Sequence, residues 1–330
     1  RISQIDPSFT GNPVVLGIPS IGSNEDGAYA FIDYMLSADA QNIALDSMAA
    51  IPVIDYSLLD PELTKTIETL KIMIMVTVIF YPIAVSLLRS FQLEEGGWGP
   101  DNYIFFFTDR IQRGNILYTL EIVMATVVLA IGISYFLAIY LRFSDSVVSR
   151  AIGHLYLLPR FIPGMVAVNG MITVIRDSGL INRISQLFGM NIKLGLMYNG
   201  KGIVLMNLWF NIPFATMLLA AAMSKIHNPV IEAARDAGAG KLRILKDMII
   251  PMTYRDVFVA ATFLFMSNIS SFTTPYLMDG TNPQMMGIAL YNQFNNMHYE
   301  KAAALSVIMF LFSVLSAAVY VYTNMKENDW

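Results

Sequence analysis

Two long uncharged stretches constrain this chain most strongly. Residues 202–223 and 257–278 each run for 22 residues without Asp, Glu, Lys or Arg. An α-helix rises about 1.5 Å per residue, so each stretch is long enough to cross a hydrocarbon core about 30 Å thick. Between them, residues 225–251 form the charged stretch KIHNPVIEAARDAGAGKLRILKDMIIP. A polar segment held between two membrane spans lies at a membrane surface, where a soluble protein can contact it.

The composition places the whole chain in a membrane. Of its 330 residues, 55% are hydrophobic and only 14% are charged, whereas soluble domains carry about 25% charged residues. The sequence therefore predicts an all-α polytopic membrane protein with six transmembrane helices, and a large soluble core is disfavoured by the number of separate apolar runs. The predicted spans are about 71–89, 116–141, 152–176, 202–223, 254–275 and 302–324.

The third predicted span is interrupted near its start. It contains Arg160 between Pro159 and Pro163. A proline removes a backbone donor and bends a helix, so we expect a bend here. A broken helix that lines a cavity and a simple packing kink both fit this pattern.

The first seventy residues differ from the rest. A short strand at 14–19 and helices at about 24–36 and 38–48 predict a small α/β or helical segment, and its acidic residues exclude a span. The stretch AYAFIDYMLSADAQNIALDSMAAIPV resembles the C-terminal part of bacterial extracellular solute-binding proteins. We therefore divide the chain into this segment, 1–70, and a six-span domain, 71–330.

The distribution of basic residues predicts the orientation. No Lys or Arg occurs in 275–300, whereas the 225–251 loop contains Lys225, Arg235, Lys241, Arg243 and Lys246. Because basic loops favour the cytoplasmic side, we expect the loop and the C-terminus to be cytoplasmic.

The charged loop is predicted to form two short helices. Asn228 can cap a helix that begins with Pro229, and Glu232 lies close to the positive end of its dipole. The chain is expected to turn at Gly238 or Gly240. A second, basic helix over 241–248 then leads to the next span.

The spacing within this loop resembles a known signature. Glu232-Ala233-Ala234 is followed by three residues, Gly238, nine residues and Met-x-Ile-Pro, which ends at Pro251. This is similar to the EAA loop, EAA-x3-G-x9-I-x-L-P, of permease subunits in bacterial binding-protein-dependent type I ABC importers, with Met and Ile at the two aliphatic positions. The resemblance implies that the loop is a coupling helix that docks on a cytoplasmic ATPase. The implied coupling residues are Glu232, Ala233, Ala234, Gly238 and Pro251.

Other stretches resemble the same family. They include WGPDNYIFFF after the first span and DSGLIN after the third. The resemblance implies a multi-pass protein of the bacterial cytoplasmic membrane, surrounded by lipid. Its implied partners are a cytoplasmic ABC ATPase dimer, a second permease subunit and an extracellular solute-binding protein. The stretch SFTTPY with AAALS looks closer to importers of iron(III), polyamines or phosphonates than to sugar importers.

Several chemistries find no support in the sequence. The Gly238-Ala239-Gly240-Lys241 stretch lacks the further glycine and the Ser or Thr of a phosphate-binding loop, because Arg235 and Leu242 occupy those positions. We therefore expect no cofactor in this chain, with ATP and Mg²⁺ bound by the partner ATPase. No catalytic motif occurs, the three histidines match no metal spacing, and a net charge of −4 indicates no nucleic-acid partner.

Uncharged polar residues inside the spans are candidates for a translocation path. In hydrocarbon such groups must face protein or water, so they can line a cavity or form interhelical hydrogen bonds. Both interpretations stay open, and the density of polar side chains favours cavity lining for 268–271. The candidates are Asn169, Asn207, Asn211, Ser267, Asn268, Ser270 and Ser271.

The two resemblances conflict in topology. Six spans with a cytoplasmic coupling loop put the N-terminus in the cytoplasm, whereas a binding-protein segment belongs outside. We favour a fusion of a neighbouring binding-protein tail over a small cytoplasmic extension. The alternative function is a membrane scaffold or a membrane-embedded enzyme with an incidental EAA-like loop.

Overall fold

The computed structural model describes residues 73–278 and 283–325, together with Ser37, Lys65 and Thr69. The predicted strand and helices of 1–70 lie outside the described residues. The chain divides into two units, Arg1–Val85 and Ser86–Trp330. The first is described over 73–85 as the π-helical turn Met75–Phe80 and the beginning of the next helix. The division at residue 70 stays a prediction.

The described chain is helical, as the composition predicts. Its extended pairing is limited to an isolated bridge between Gln92 and Trp98. A 3₁₀ turn, Leu158–Phe161, and a π-helical turn, Leu245–Ile249, join some of the helices. In chain order the helices are α1 (Tyr81–Ser90), α2 (Asp101–Thr108), α3 (Arg110–Phe143), α4 (Val147–Leu155), α5 (Gly164–Ile175), α6 (Leu180–Leu187), α7 (Gly200–Ser224), α8 (Asn228–Asp236), α9 (Lys241–Ile244), α10 (Ile250–Ile269), α11 (Thr273–Met278), α12 (Met286–Asn295) and α13 (Tyr299–Met325).

Four of the described helices are long and apolar enough to cross a membrane. They are α3, α7, the continuous stretch Lys241–Ile269 and Tyr299–Ala318 within α13. They coincide with the second, fourth, fifth and sixth predicted spans. The first predicted span is a shorter apolar helix, Met75–Ser90, and the third is a bent pair of helices. By length and composition the described residues therefore contain four spans, or five if the bent pair is one span.

The third predicted span is broken rather than continuous. Val147–Phe161 and Gly164–Leu187 meet at an angle of 107°. Ile162 has an extended backbone (φ −85°, ψ 124°), as expected for a residue that precedes a proline. Pro163 also has no backbone N–H to continue the ladder. A single helix over 152–176 was therefore the wrong expectation, although the predicted bend is present.

The fifth span ends earlier than predicted. Helix α10 stops at Ile269, and Ser270 leaves the helical conformation at φ −99° and ψ 12°. The Ser271 N–H then donates to the Asn268 carbonyl in a turn (3.1 Å), and α11 begins at Thr273. The expected helix to residue 275 is therefore split into two helices by a polar turn.

The bundle is built around α3 and α7, which pack together most extensively, with α10 against both of them and α13 against α10. Because lipid tails are as apolar as leucine, dispersion contacts and interhelical hydrogen bonds hold such helices together. One such bond joins the two central helices, where the Ser134 hydroxyl donates to the Ile212 carbonyl (3.1 Å). The core side chains are fully or almost fully buried, and they include Phe106, Val123, Ile203, Leu264 and Leu305.

An ionic cluster lies at the end of the bundle opposite the 225–251 loop. The Glu94 carboxylate contacts His298 Nδ1 at 2.7 Å and Lys301 Nζ at 3.1 Å. Partial burial raises the pKa of Glu94, but hydrogen bonds and charges from Lys301 and His298 outweigh it and leave the pKa below its ordinary value. This carboxylate therefore stabilises the fold above the unfolded-state pKa, and the stabilisation is lost as pH falls through the folded-state pKa.

Helix α12 approaches the polar turn after α10 closely enough to require a glycine. A Cβ added to the buried Gly287 would collide with the Ser271 carbonyl oxygen. We expect Gly287→Ala to destabilise the chain by about 1–3 kcal/mol, because backbone on both sides must move. The measurement is the thermal unfolding midpoint of the purified chain in one detergent. Gly114→Ala in α3, where a Cβ meets nothing within 4 Å, is the matched control. A Gly287→Ala midpoint at or above that of the control contradicts the prediction.

Candidate functional site

The 225–251 loop folds into two short helices packed on one end of the bundle. Helices α8 and α9 each bury one isoleucine, Ile231 and Ile244, which are 5% and 4% exposed. These side chains join a cluster with Met223 and Leu219 of α7 and with Ala138 of α3. The inward face of the loop is therefore fixed to the central helix pair.

Gly238 ends α8 in a left-handed conformation, with φ +81°. Its N–H donates to the Arg235 carbonyl at 2.8 Å, and the Ala239 N–H donates to the Ala234 carbonyl at 2.9 Å. This pair of bonds is the Schellman motif, in which a glycine commonly supplies the left-handed residue. Gly240 instead has φ −71° and ψ 163°. The turn therefore lies at Gly238.

The predicted coupling residues lie mainly on the outward side of the loop. Glu232 and Ala233 are exposed on α8, Ala234 is half-buried, and Gly238 is exposed at the helix end. Pro251 is also exposed, but it lies in the first turn of α10, beyond α9 and the π-helical turn. The structure therefore places four of the five residues on α8 and its end, and the fifth on the following span.

Leu242 is a residue of this surface that the sequence reasoning missed. Its side chain is 83% exposed at the beginning of α9, between Lys241 and Arg243. Leu242 therefore lies on the outward face of α9. The available signal was its position two residues before the buried Ile244, which puts the two side chains on different faces of the helix.

Arg142 at the end of α3 anchors the beginning of the loop. Its Nη2 donates to the Ile226 carbonyl at 2.9 Å and to Asn228 Oδ1 at 2.7 Å. Asn228 therefore does not cap α8 as predicted, because the guanidinium engages its side chain, and His227 occupies the cap position. A salt bridge between Lys225 Nζ and Asp256 Oδ1 of α10 (2.9 Å) also holds this segment.

Two of the candidate path residues bind each other across the bundle. Asn211 of α7 and Asn268 of α10 exchange two side-chain hydrogen bonds of 3.1 Å each. Both are buried, with 8% and 4% of their surface exposed. Asn207, one turn earlier on α7, is 2% exposed, and its Nδ2 has no partner among the described residues. These amides connect two spans inside the protomer.

The remaining candidates lie elsewhere. Ser270 is exposed and lines a cavity of about 400 Å³, whereas the Ser271 carbonyl faces Gly287. Ser267 donates within its own helix to the Leu264 carbonyl at 3.0 Å. Asn169 is exposed on α5 and donates to the Met165 carbonyl at 2.9 Å. The candidates therefore do not converge on one place.

The fold and the loop together define a multi-pass helical membrane subunit with a docked surface helix pair. Residues 104–326, more than half of the chain, match the family described as the binding-protein-dependent transport system inner membrane component. The chain belongs to this family and is a permease component of an ABC transporter in the inner membrane. The predicted family is therefore confirmed.

Individual relatives agree with this assignment. The thiamine transport system permease protein ThiP of Brucella suis is 27% identical over 289 residues, covering 86% of this chain and 51% of that protein. The spermidine/putrescine transport system permease protein PotB of Escherichia coli is 22% identical over 222 residues, covering 67% and 80% of the two chains. The chain spans about half the length of its thiamine relatives.

A solved structure shows the same fold. A chain of a bacterial ABC transporter involved in the import of the acidic polysaccharide alginate superposes with a TM-score of 0.68 at 17% identity. The match covers 81% of this chain and 95% of the other. Among the residues described here, no group of three or more His, Asp and Glu side chains is arranged to hold a metal ion.

Proposed function

We propose that the chain is the permease subunit of an ATP-driven solute importer, in which α8 and α9 couple the membrane spans to a separate ABC ATPase dimer. The observation that carries the proposal is the two-sided character of α8. Its outward face exposes Glu232 and Ala233, while Ile231 on the other side is buried against α3 and α7. A short helix with small exposed residues can sit closely in a groove of a partner.

The anchoring contacts support a lever-like role for the helix pair. Arg142 ties the beginning of α8 to α3, and Lys225 ties the same segment to Asp256 of α10. Helix α9 continues through the π-helical turn into α10. A displacement of α8 by the ATPase is therefore passed to several spans together, as rigid-body alternating access requires. In this proposal ATP and Mg²⁺ bind to the partner ATPase and not to this chain.

The remaining partners follow from the same proposal. A second permease subunit completes the path, and an extracellular solute-binding protein delivers the substrate. The basic 225–251 loop and the C-terminus then lie in the cytoplasm. Relatives named for thiamine and for spermidine/putrescine favour polyamine among the substrates considered, ahead of iron(III), phosphonate and sugar.

Reversing one exposed charge on α8 tests the coupling. We expect Glu232→Arg to weaken co-purification of the ATPase and to lower substrate-stimulated ATP hydrolysis by about tenfold, because a like or unpaired charge at an interface costs at least 1.4 kcal/mol. Glu95→Arg, on the loop at the opposite end of the bundle, is the matched control and leaves ATPase co-purification unchanged.

The same measurement separates the alternatives. Equal ATPase association by Glu232→Arg and Glu95→Arg contradicts a coupling role for α8. A wild-type chain that assembles with no ATPase and shows no substrate-stimulated hydrolysis supports a membrane scaffold instead.

A further inference from the structure

A cavity opens beside the polar turn that follows α10. Its volume is about 400 Å³, within the usual range for small-molecule sites of about 300–1,000 Å³. Helices α12 and α13 supply most of its wall, and the contact of Gly287 with the Ser271 carbonyl holds α12 against the turn. The lining residues are Ser270, Phe272, Gly287, Leu290, Tyr291, Phe294 and Met309.

Three aromatic rings of this lining are held in place by neighbouring rings. Phe272 lies 5.1 Å from Tyr291, centroid to centroid, and Tyr276 stacks on Phe272 at 4.9 Å. Phe294 packs edge-on against Tyr299 at 5.2 Å. The rings of Phe272, Tyr291 and Phe294 therefore form a supported aromatic wall.

The charge distribution around the wall selects the kind of ligand. The lining contains no Lys, Arg, Asp or Glu. Beside it, the Arg89 guanidinium lies 5.7 Å from the ring centroid of Tyr299, so a ring that supports Phe294 already holds a cation. Among the side chains of the lining, an anion would find only the hydroxyls of Ser270 and Tyr291 as donors. The faces of aromatic rings are negative, however, and attract cations within about 6 Å of the ring centroid.

We propose that this cavity is a transit site for a small organic cation, an amine or ammonium compound that crosses the permease. The inference rests on the proposed importer function and gives its substrate class. Aromatic faces compensate part of the cost of removing such a cation from water. The lack of a carboxylate in the lining keeps binding weak, and a transport path needs a site that also releases its ligand.

Binding of choline to the purified full-length chain tests the inference. Choline carries a quaternary ammonium, and 3,3-dimethyl-1-butanol has the same shape without the charge. Equilibrium dialysis in detergent micelles measures both, with spermidine as a second cation and inorganic phosphate as an anion. We expect choline and spermidine to bind more tightly than the neutral isostere and phosphate.

Two variants assign that binding to the cavity. Phe294→Leu keeps an apolar side chain but removes a ring, so choline binding weakens by about 2- to 30-fold, as the range of cation–π energies gives. Tyr291→Phe keeps the ring and retains binding. Phe136→Leu makes the same ring-to-aliphatic change on the exposed side of α3, where Phe136 is 68% exposed, and binding stays at the wild-type level.

Three outcomes overturn the inference. They are equal binding of choline and its neutral isostere, no choline binding at millimolar concentration, and equal effects of Phe294→Leu and Phe136→Leu. If the chain assembles with its ATPase but binds cations no better than the neutral isostere, the cation site is refuted and the importer function is not. If the chain binds cations through Phe294 but does not couple to an ATPase, the importer function is refuted and the cation site is retained.

Discussion

Replacing Gly238 with valine is expected to lower substrate-stimulated ATP hydrolysis by about tenfold, because left-handed backbone costs an ordinary residue about 1–2 kcal/mol and a β-branched one more. Asparagine tolerates this conformation, so Gly238→Asn is expected to retain most of the activity. Space is not the cause, since a Cβ at Gly238 meets nothing within 4 Å. The two substitutions therefore separate a requirement for positive φ from a requirement for a small side chain.

Gly240 provides the matched control within the same loop. A Cβ there also meets nothing within 4 Å, but its φ of −71° suits any residue. We expect Gly240→Val to stay near wild type in ATP hydrolysis and in ATPase co-purification. Equal loss in Gly238→Val and Gly238→Asn indicates instead that the ATPase groove excludes any side chain at 238. If Gly238→Val and Gly238→Asn both retain wild-type activity, coupling does not depend on the Schellman turn.

The positions of four of the six predicted spans could be read from the sequence, because length and apolarity largely determine which segments cross a membrane. The bend in the third span could also be predicted from a local signal, because Pro163 has no backbone N–H to continue the helix. The early end of α10 could not be foreseen, because residues 270–275 are as uncharged as residues 257–269 before them. The helix ends in a backbone turn in which the Ser271 N–H donates to the Asn268 carbonyl, and composition does not reveal where such a turn begins.

The anchoring of the coupling loop was also beyond sequence reasoning. Asn228 followed by proline is a good local cap signal, but Arg142 lies 86 residues earlier in the chain and takes the Asn228 oxygen in the fold. The turn was narrowed to Gly238 or Gly240, and only backbone geometry distinguishes them. Local signals thus predicted the helix and its turn, while tertiary contacts determined how they are held.

The direction of the polar side chains within the spans was the least predictable feature. Protein and lipid are both apolar, so a span shows little periodicity to mark its inward face. Asn207 and Asn211 are four residues apart on α7, which places them on one face without saying what that face contacts. The partner, Asn268, lies 57 residues later and is known only from the fold.

The Asn211–Asn268 pair is expected to act mainly on stability. Asn268→Leu keeps the shape of the side chain but leaves the buried Asn211 Oδ1 without the Asn268 donor, which costs about 1–3 kcal/mol. The double variant Asn211→Leu/Asn268→Leu removes both amides, so it is expected to lose less than the sum of the single variants. The measurement is the thermal midpoint of the four proteins of this double-mutant cycle in one detergent.

Transport assays on the same four proteins decide between packing and path lining. If the pair only joins α7 to α10, the apparent KM for substrate stays constant while stability changes. If one of the two amides contacts the substrate, its replacement raises the apparent KM. The double variant then has the same raised KM, although its stability is partly restored. Thr173→Val is the control, because this residue is not a path candidate and its hydroxyl donates within its own helix to the Asn169 carbonyl. Additive stability losses across the cycle contradict the hydrogen-bonded pair.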